Sequence, residues 1–78
     1  MPGILRVDTV GGDMLDVQMD NGNIVLLSLK LLLSDARFAE LMEDDRVFYP
    51  HTDGICVFWK NGPRLTLEEL ERMAFGNA

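Results

Sequence analysis

The sequence predicts an α+β fold, with an antiparallel sheet of about four to five strands and two short helices. Segments 4–10 and 14–19 have the Ile, Leu and Val content or the apolar–polar alternation that is typical of strands. Asn-Gly at 21–22 marks a tight hairpin turn after the second strand. Thr-Leu-Glu-Glu at 66–69 marks the start of a helix near the end of the chain.

Length and composition predict one small domain, residues 1–78. A chain of 78 residues leaves no room for a second core. It contains one Cys, so an intrachain disulfide is impossible. The hydrophobic fraction of 47% is high for a domain of this size. This fraction indicates either a very apolar core or an apolar patch that another chain covers.

The charge balance argues against direct nucleic-acid binding. Asp and Glu number 13 against 7 Lys and Arg, giving a net charge of −6, whereas nucleic-acid binding draws much of its affinity from phosphate neutralisation. The N-terminus has no basic segment before a long apolar run, so no signal peptide is expected. The longest apolar run, 24–33, is interrupted by Ser28 and Lys30 and is too short to span a membrane. We therefore expect a cytoplasmic protein.

The first two strands are separated by Gly11 and Gly12, which are typical of a turn. From Leu15 onwards the second strand alternates between apolar and polar residues. Its apolar residues share the face that we expect to line the core, and they are Leu15, Val17 and Met19.

The turn at 21–22 fixes the predicted register of the third strand. A two-residue type I′ turn, in which both residues take positive φ, pairs Met19 with Ile24. In this register Val25 and Leu27 lie on the face opposite the core, although both are apolar. We therefore expect a helix or a second copy of the protein to cover them.

A helix is predicted over 35–43, with Ser34 as its N-cap. Residues 29–33 suit either an extension of the third strand or a turn of helix, because β-branched residues stop at Val25 and both Leu and Lys favour helices. Three apolar residues share one face of the predicted helix, namely Phe38, Leu41 and Met42.

A second hairpin is predicted over 46–59. Strands at 46–50 and 55–59 flank the segment 51–54, whose Asp-Gly sequence is typical of a turn. Pro50 has no N–H group to donate, so it belongs at a strand end or at a sheet edge.

The last helix is predicted to begin after Thr66, following a break at 61–63. Thr66 opens a capping box, in which its hydroxyl and a Glu carboxylate satisfy each other's backbone N–H groups. The apolar stripe of this helix comprises Leu67, Leu70, Met73 and Ala74. Gly76 is the predicted stop.

No catalytic, metal or cofactor site is predicted. His51 and Cys56 flank the second turn, but we expect Cys56 to lie in a buried strand, where a thiol acts as a small apolar group. The acidic run 43–45 near His51 lacks a metal-binding spacing and is typical of a solvated corner. The sequence therefore does not indicate an enzyme.

The aromatic residues of the second hairpin are predicted to contact another protein. Both faces of the strand 55–59 are apolar, so one of Phe58 and Trp59 is expected outside the core. Aromatic residues without flanking cations are weak candidates for stacking on nucleic-acid bases. The predicted interface comprises Val25, Leu27, Tyr49, Phe58 and Trp59.

Residues 55–70 resemble the closing motif of the bacterial family known as domain of unknown function 2442. In that family a strand ends in Trp, an Asn-Gly corner follows, and a Leu precedes a short helix. The matching residues here are Ile55, Trp59, Asn61, Gly62, Leu65, Glu68 and Leu70. The early hairpin, Leu27-Ser28-Leu29 and the Phe38 segment also occur in similar order. The chain departs from the family pattern at Lys60, Arg64 and Leu67.

This resemblance implies a small α+β domain with an antiparallel sheet and brings no established activity. Some members carry the domain beside a helix-turn-helix, and others look like partners of small toxin-like proteins. The sequence therefore predicts an uncharacterised, non-enzymatic protein-interaction or oligomerisation module that acts as a homodimer or with a protein partner. The alternative is an antitoxin-like or transcription-associated accessory regulator that acts through a protein partner.

Overall fold

A computed structural model describes residues 3–75, which form an α+β fold. The elements in chain order are β1 (Ile4–Val10), β2 (Met14–Met19), β3 (Ile24–Ser28), α1 (Leu29–Leu33), two 3-10 helices (Ala39–Met42 and Arg46–Phe48), β4 (His51–Thr52), β5 (Cys56–Phe58), β6 (Arg64–Thr66) and α2 (Leu67–Phe75). The N-terminal sheet has the order β1-β2-β3 and the C-terminal sheet the order β4-β5-β6, both antiparallel. The α+β class is confirmed, but two three-stranded sheets replace the predicted single sheet of four to five strands.

Strands β1 and β2 are joined by the predicted glycine turn. Gly11 and Gly12 take φ values of 67° and 77°, a region that only glycine enters at no steric cost. Val10 pairs with Met14 on either side of this turn. At the other end of β1 the register shifts at Leu5, which forms a bulge and is exposed.

The β2–β3 turn differs from the predicted two-residue turn. The N–H of Gly22 donates to the carbonyl of Met19 (3.2 Å), and the N–H of Met19 donates to the carbonyl of Asn23 (2.8 Å). Gly22 alone has positive φ (92°) in this turn, which indicates a three-residue loop with a bulge. Asn21 stays out of the left-handed region and accepts the N–H of Asn23 on its side chain (3.0 Å).

This loop moves the register of β3 by one residue. Val17 pairs with Val25, and Leu15 pairs with Leu27. Because a one-residue shift exchanges the two faces of a strand, Val25 and Leu27 face the core. The prediction that they lie on the outer face is wrong.

The helix predicted at 35–43 is also misplaced. Residues 29–33 form α1, with the Ser28 hydroxyl as N-cap, accepting the N–H of Leu31. Ser34 is the C-cap of α1 instead of the N-cap of a second helix. The predicted helix contracts to a 3-10 turn at Ala39–Met42, in which Leu41 is buried and Met42 is exposed.

The C-terminal sheet is assembled differently from the predicted hairpin. The segment 46–50 begins as a 3-10 helix, because Asp45 takes a left-handed conformation (φ 62°) and the N–H of Tyr49 donates to the carbonyl of Arg46 (2.9 Å). Strand pairing starts after Pro50, at His51. Strand β6, which was not predicted, completes the sheet on the far side of β5.

Helix α2 begins with the predicted capping box. The N–H of Glu69 donates to the Thr66 hydroxyl (3.1 Å), and the N–H of Thr66 donates to the Glu69 carboxylate (3.2 Å). Leu70 is fully buried, and the flanking apolar residues Leu67 and Met73 are partly buried against the core. The predicted stop, Gly76, lies outside the described residues.

The two sheets meet along β1 and share one core. The N–H of Ile4 donates to the carbonyl of Gly54 (2.9 Å), and the Thr9 hydroxyl donates to the carbonyl of Phe48 (3.4 Å). The largest fully buried side chains of the described residues are Trp59, Phe38, Leu15, Leu27, Leu32, Leu41, Leu65, Leu70, Val17, Val47 and Val57. The inner faces are therefore filled by the chain itself, and any contact surface lies on the outer faces and edges of the sheets.

Candidate interaction surfaces

The structure divides the five predicted interface residues between the core and the surface. Val25 and Leu27 are 4% and 1% exposed, and Trp59 is 2% exposed, so none of the three can form an interface in the folded chain. Phe58 is partly exposed and Tyr49 is 69% exposed. Since Val57 and Trp59 face the core, the alternation along β5 directs Phe58 outward.

The outer face of the N-terminal sheet carries an apolar strip along its β3 side. The register shift that buries Val25 and Leu27 turns Ile24 and Leu26 outward, where they are 57% and 52% exposed. Leu31, in the helix that follows β3, is 46% exposed. We refer to Ile24, Leu26 and Leu31 as the apolar strip. The shifted register exposes Ile24 and Leu26, and Leu31 adds an exposed apolar side chain from α1.

The centre and β1 side of the same outer face are charged. Asp16, in the middle strand, lies between Asp8 and Leu26 in the register. Asp8 is engaged by Arg6 (3.1 Å). Asp16 Oδ1 is buried and has no hydrogen-bond partner among the described residues. An apolar strip therefore borders an acidic centre.

The backbone of β3 is unpaired on the side away from β2. Hydrogen bonds join Met19 to Asn23 at one end of the hairpin (2.8 Å) and Leu29 to Asp13 at the other (2.9 Å). Because bonded and non-bonded pairs alternate in an antiparallel ladder, the N–H and C=O groups of Leu26 point away from β2. Within residues 3–75 the N–H of Leu26 has no hydrogen-bond acceptor.

A groove lies between the start of β3 and the end of α2. Its volume is about 210 Å³ and its lining is mixed in polarity. The lining residues are Met19, Asn21, Asn23, Ile24, Val25, Glu71 and Phe75. The groove thus begins where the apolar strip begins, at Ile24.

The outer face of the C-terminal sheet carries a cluster centred on Phe58. The register places His51, Phe58 and Arg64 side by side on β4, β5 and β6. The His51 ring stacks on Phe58 with centroids 5.7 Å apart, and the Arg64 guanidinium lies 5.1 Å from the Phe58 centroid. Sequence reasoning missed this cluster because β6, which brings Arg64 to Phe58, was not predicted.

Asp53 supports this cluster from the β4–β5 turn. Its Oδ1 accepts the N–H groups of Ile55 and Cys56 (3.0 Å each), and its other oxygen accepts from Arg64. The N–H groups of Cys56 and Ile55, followed by Arg64, lower the pKa of Asp53 from its ordinary value of 3.8 to about 2. A lowered folded-state pKa stabilises the fold above pH 3.8, and this contribution is lost as the pH falls through about 2.

We expect a carboxyl carbon NMR titration to give a midpoint of about 2 for Asp53. The Arg64→Gln variant should raise this midpoint only partly, because backbone N–H groups contribute most to the lowered pKa. A midpoint near 3.8 in the wild-type protein would show that the turn does not hold Asp53 in this arrangement.

Comparisons with protein-family models, curated proteins and solved structures find no match to this chain. The resemblance to domain of unknown function 2442 therefore stays a prediction. Within residues 3–75, no helix is long and apolar enough to cross a membrane. Over the same residues, no three His, Cys, Asp or Glu side chains gather as a metal site.

Proposed function

We propose that this chain is a non-enzymatic protein-interaction module whose contact surface is the outer face of the N-terminal sheet. The observation that carries the proposal is the apolar strip of Ile24, Leu26 and Leu31. Ile24 and Leu26 are more than half exposed, and Leu31 is 46% exposed. The three residues follow one another along β3 and the helix after it. Contiguous apolar surface on a small soluble domain marks a site that another protein covers.

The Phe58 cluster is the weaker candidate for this contact. Its aromatic ring is already covered on one side by His51 and contacted by Arg64, whose charge is balanced by Asp53. The groups of this cluster therefore have partners within the chain, whereas the side chains of the apolar strip contact solvent. Tyr49 remains an exposed aromatic residue, but the structure does not place it in either surface.

The Leu26→Lys variant should bind its partner more weakly than the wild-type chain does, whether that partner is a second copy or another protein. A charged head at the centre of the strip must be desolvated on binding, and central apolar contacts contribute most of the binding energy. We expect at least about tenfold weaker binding. Sedimentation over a range of concentrations measures self-association, and quantitative isotope-labelled co-purification measures heterologous partners.

The matched control is Leu5→Lys, which adds the same charge to an exposed residue, 65% exposed, in the β1 bulge. Both variants should keep the wild-type melting temperature within a few degrees, because neither side chain belongs to the core. Equal binding by Leu26→Lys and Leu5→Lys would refute the proposed surface.

A further inference from the structure

We propose that the outer face of the N-terminal sheet binds an amphipathic helix of another protein, and that this helix carries one arginine or lysine within its apolar face. The cation lies beside Asp16, and the apolar side chains around it cover the apolar strip. This inference rests on the proposed function, because it names the kind of partner that the same surface binds.

Asp16 is the charge on this face that the chain leaves without a partner. Within residues 3–75 it forms no ion pair, and its Oδ1 is buried without a hydrogen-bond donor. Asp8 lies directly opposite it on β1 and is paired with Arg6 instead. Like charges opposite each other destabilise a sheet, so the carboxylate of Asp16 is unfavourable in the isolated chain. A cation from outside the chain relieves this cost.

The neighbours of Asp16 are apolar on two sides. Leu26 pairs with it on β3, and Met14 lies two residues before it on the same face of β2. Val10, which pairs with Met14, is 49% exposed. Asp16 itself is partly exposed, so a partner can approach it from the outer face. A polybasic segment would leave the apolar neighbours in water, whereas a single cation set among apolar side chains matches both.

The dimensions of this face suit one helix. Three strands spaced about 4.8 Å apart form a surface about 10 Å wide, which is about the diameter of an α-helix. The five residues of β3 span about 17 Å, or about three helical turns. Packing of an apolar helix face on a sheet is also one of the common layer arrangements in proteins.

The chain itself does not supply such a helix. Both α1 and α2 bury apolar side chains in the core, among them Leu29, Leu32 and Leu70. Within residues 3–75 a second copy therefore offers no free apolar helix face. The net charge of −6 attracts a cationic partner and repels a second copy.

Selection from a displayed peptide library tests the chemistry of the partner. The probe is a library of helices of about four turns, randomised along one face and electrically neutral on the other. Peptides that also bind the Leu26→Gln variant are removed, which keeps binders of the outer face without adding a charge. We expect the retained peptides to share one arginine or lysine between apolar residues. Retained peptides without a cation, or no retained peptide, would overturn the proposal.

Asp16→Asn tests whether Asp16 recognises that cation. It should weaken binding of a selected peptide at least about tenfold in fluorescence anisotropy, and replacing the peptide's cation with glutamine should then cause little further loss. The matched control is Glu68→Gln, which removes the same charge from an exposed residue of α2 and should change binding by less than about twofold. Equal binding by both variants contradicts a role for Asp16.

The isolated chain provides a test without any partner. Because Asp16 lies opposite Asp8, Asp16→Asn should raise the melting temperature at low salt by at least about 1 °C. A lower melting temperature would show that Asp16 serves the fold, which removes the basis of the proposal.

The outcomes distinguish this inference from the proposed function. Binding that is lost in Leu26→Lys but kept in Asp16→Asn refutes the cationic helix and leaves the apolar strip as the contact surface. Self-association of the wild-type chain that Leu26→Lys abolishes has the same two consequences. Binding that survives both Leu26→Lys and Asp16→Asn refutes the proposed surface and this inference together.

Discussion

Replacing Leu27 with aspartate should unfold this protein, whereas the same replacement at the neighbouring Leu26 should leave it folded. Leu27 is 1% exposed and faces Leu15, which is fully buried, across the β2–β3 ladder. The variant loses a buried leucine and places a carboxylate in a core that contains no buried polar or charged side chain among residues 3–75. We expect a loss of more than about 4 kcal/mol in the free energy of unfolding. Small domains have total stabilities towards the lower end of about 5–15 kcal/mol.

Leu26→Asp is the matched control, because it makes the same chemical change one residue away on the exposed face. Its expected cost is below about 1 kcal/mol and comes mainly from placing a third carboxylate beside Asp16 and Asp8. Urea unfolding followed by far-ultraviolet circular dichroism gives both free energies. If Leu27→Asp stays folded and Leu26→Asp unfolds, the result contradicts the observed register and supports the register of a two-residue turn.

In the β2–β3 hairpin, the local sequence predicts where the turn lies but not how long it is. The Asn-Gly sequence places a turn correctly, and the hairpin exists as predicted. Two turn types of different length fit this sequence, however, and they differ by one residue in register. The choice depends on whether Asn21 takes positive φ or accepts the N–H of Asn23 on its side chain. This choice exchanges the two faces of β3. As a result Val25 and Leu27, which were predicted to be exposed, are buried, and Ile24 and Leu26 are exposed instead.

Of the two helix starts, the local sequence predicts that of α2 but not that of α1. The capping box at Thr66 is local chemistry, and the predicted start of α2 is confirmed. Serine is equally suitable at 28 and at 34, so sequence alone did not decide which one caps a helix. The structure uses Ser28 as the N-cap and lets Ser34 donate to the carbonyl of Leu31 (2.6 Å). Burial of Leu29 and Leu32 in the core supplies the reason, and such burial depends on tertiary contacts.

The Phe58 cluster depends on a strand that is too short to be recognised in sequence. Strand β6 has three residues, directly after a break at 61–63 and directly before α2. Its pairing with β5 brings Arg64 to Phe58 and to Asp53. The sequence predicted aromatic residues without neighbouring cations, whereas the folded chain places one cation over the ring. Segments this short pair only when the packing of the rest of the domain holds them together.

Replacing Trp59 with alanine should be the most damaging change in the second half of the chain. Trp59 is the largest fully buried side chain and meets the Phe38 ring edge-on, with centroids 5.7 Å apart. Its Nε1 donates to the carbonyl of Val47 (3.3 Å). Removing it leaves a cavity and a buried carbonyl without its donor, so we expect a loss of about 3–5 kcal/mol.

The position of Trp59 makes this loss hard to recover by local collapse. Gly62 donates its N–H to the carbonyl of Trp59 (3.0 Å), and a Cβ built on Gly62 would lie 3.4 Å from Trp59 and 3.2 Å from Leu41. The Asn-Gly corner therefore packs directly on the tryptophan and turns the chain towards β6 and α2. Without the indole, the corner, the 3-10 helix that contains Leu41 and the carbonyl of Val47 all lose the same neighbour.

Tyr49→Ala is the control for Trp59→Ala, since it removes an aromatic side chain that is largely exposed and should change stability by less than about 0.5 kcal/mol. Trp59→Phe tests the polar contact separately, because it keeps most of the ring volume and removes the donor to Val47. Thermal unfolding followed by far-ultraviolet circular dichroism reports all three without using tryptophan fluorescence. If Trp59→Ala and Tyr49→Ala melt at the same temperature, Trp59 is not a core residue, and its place in the predicted interface is reopened.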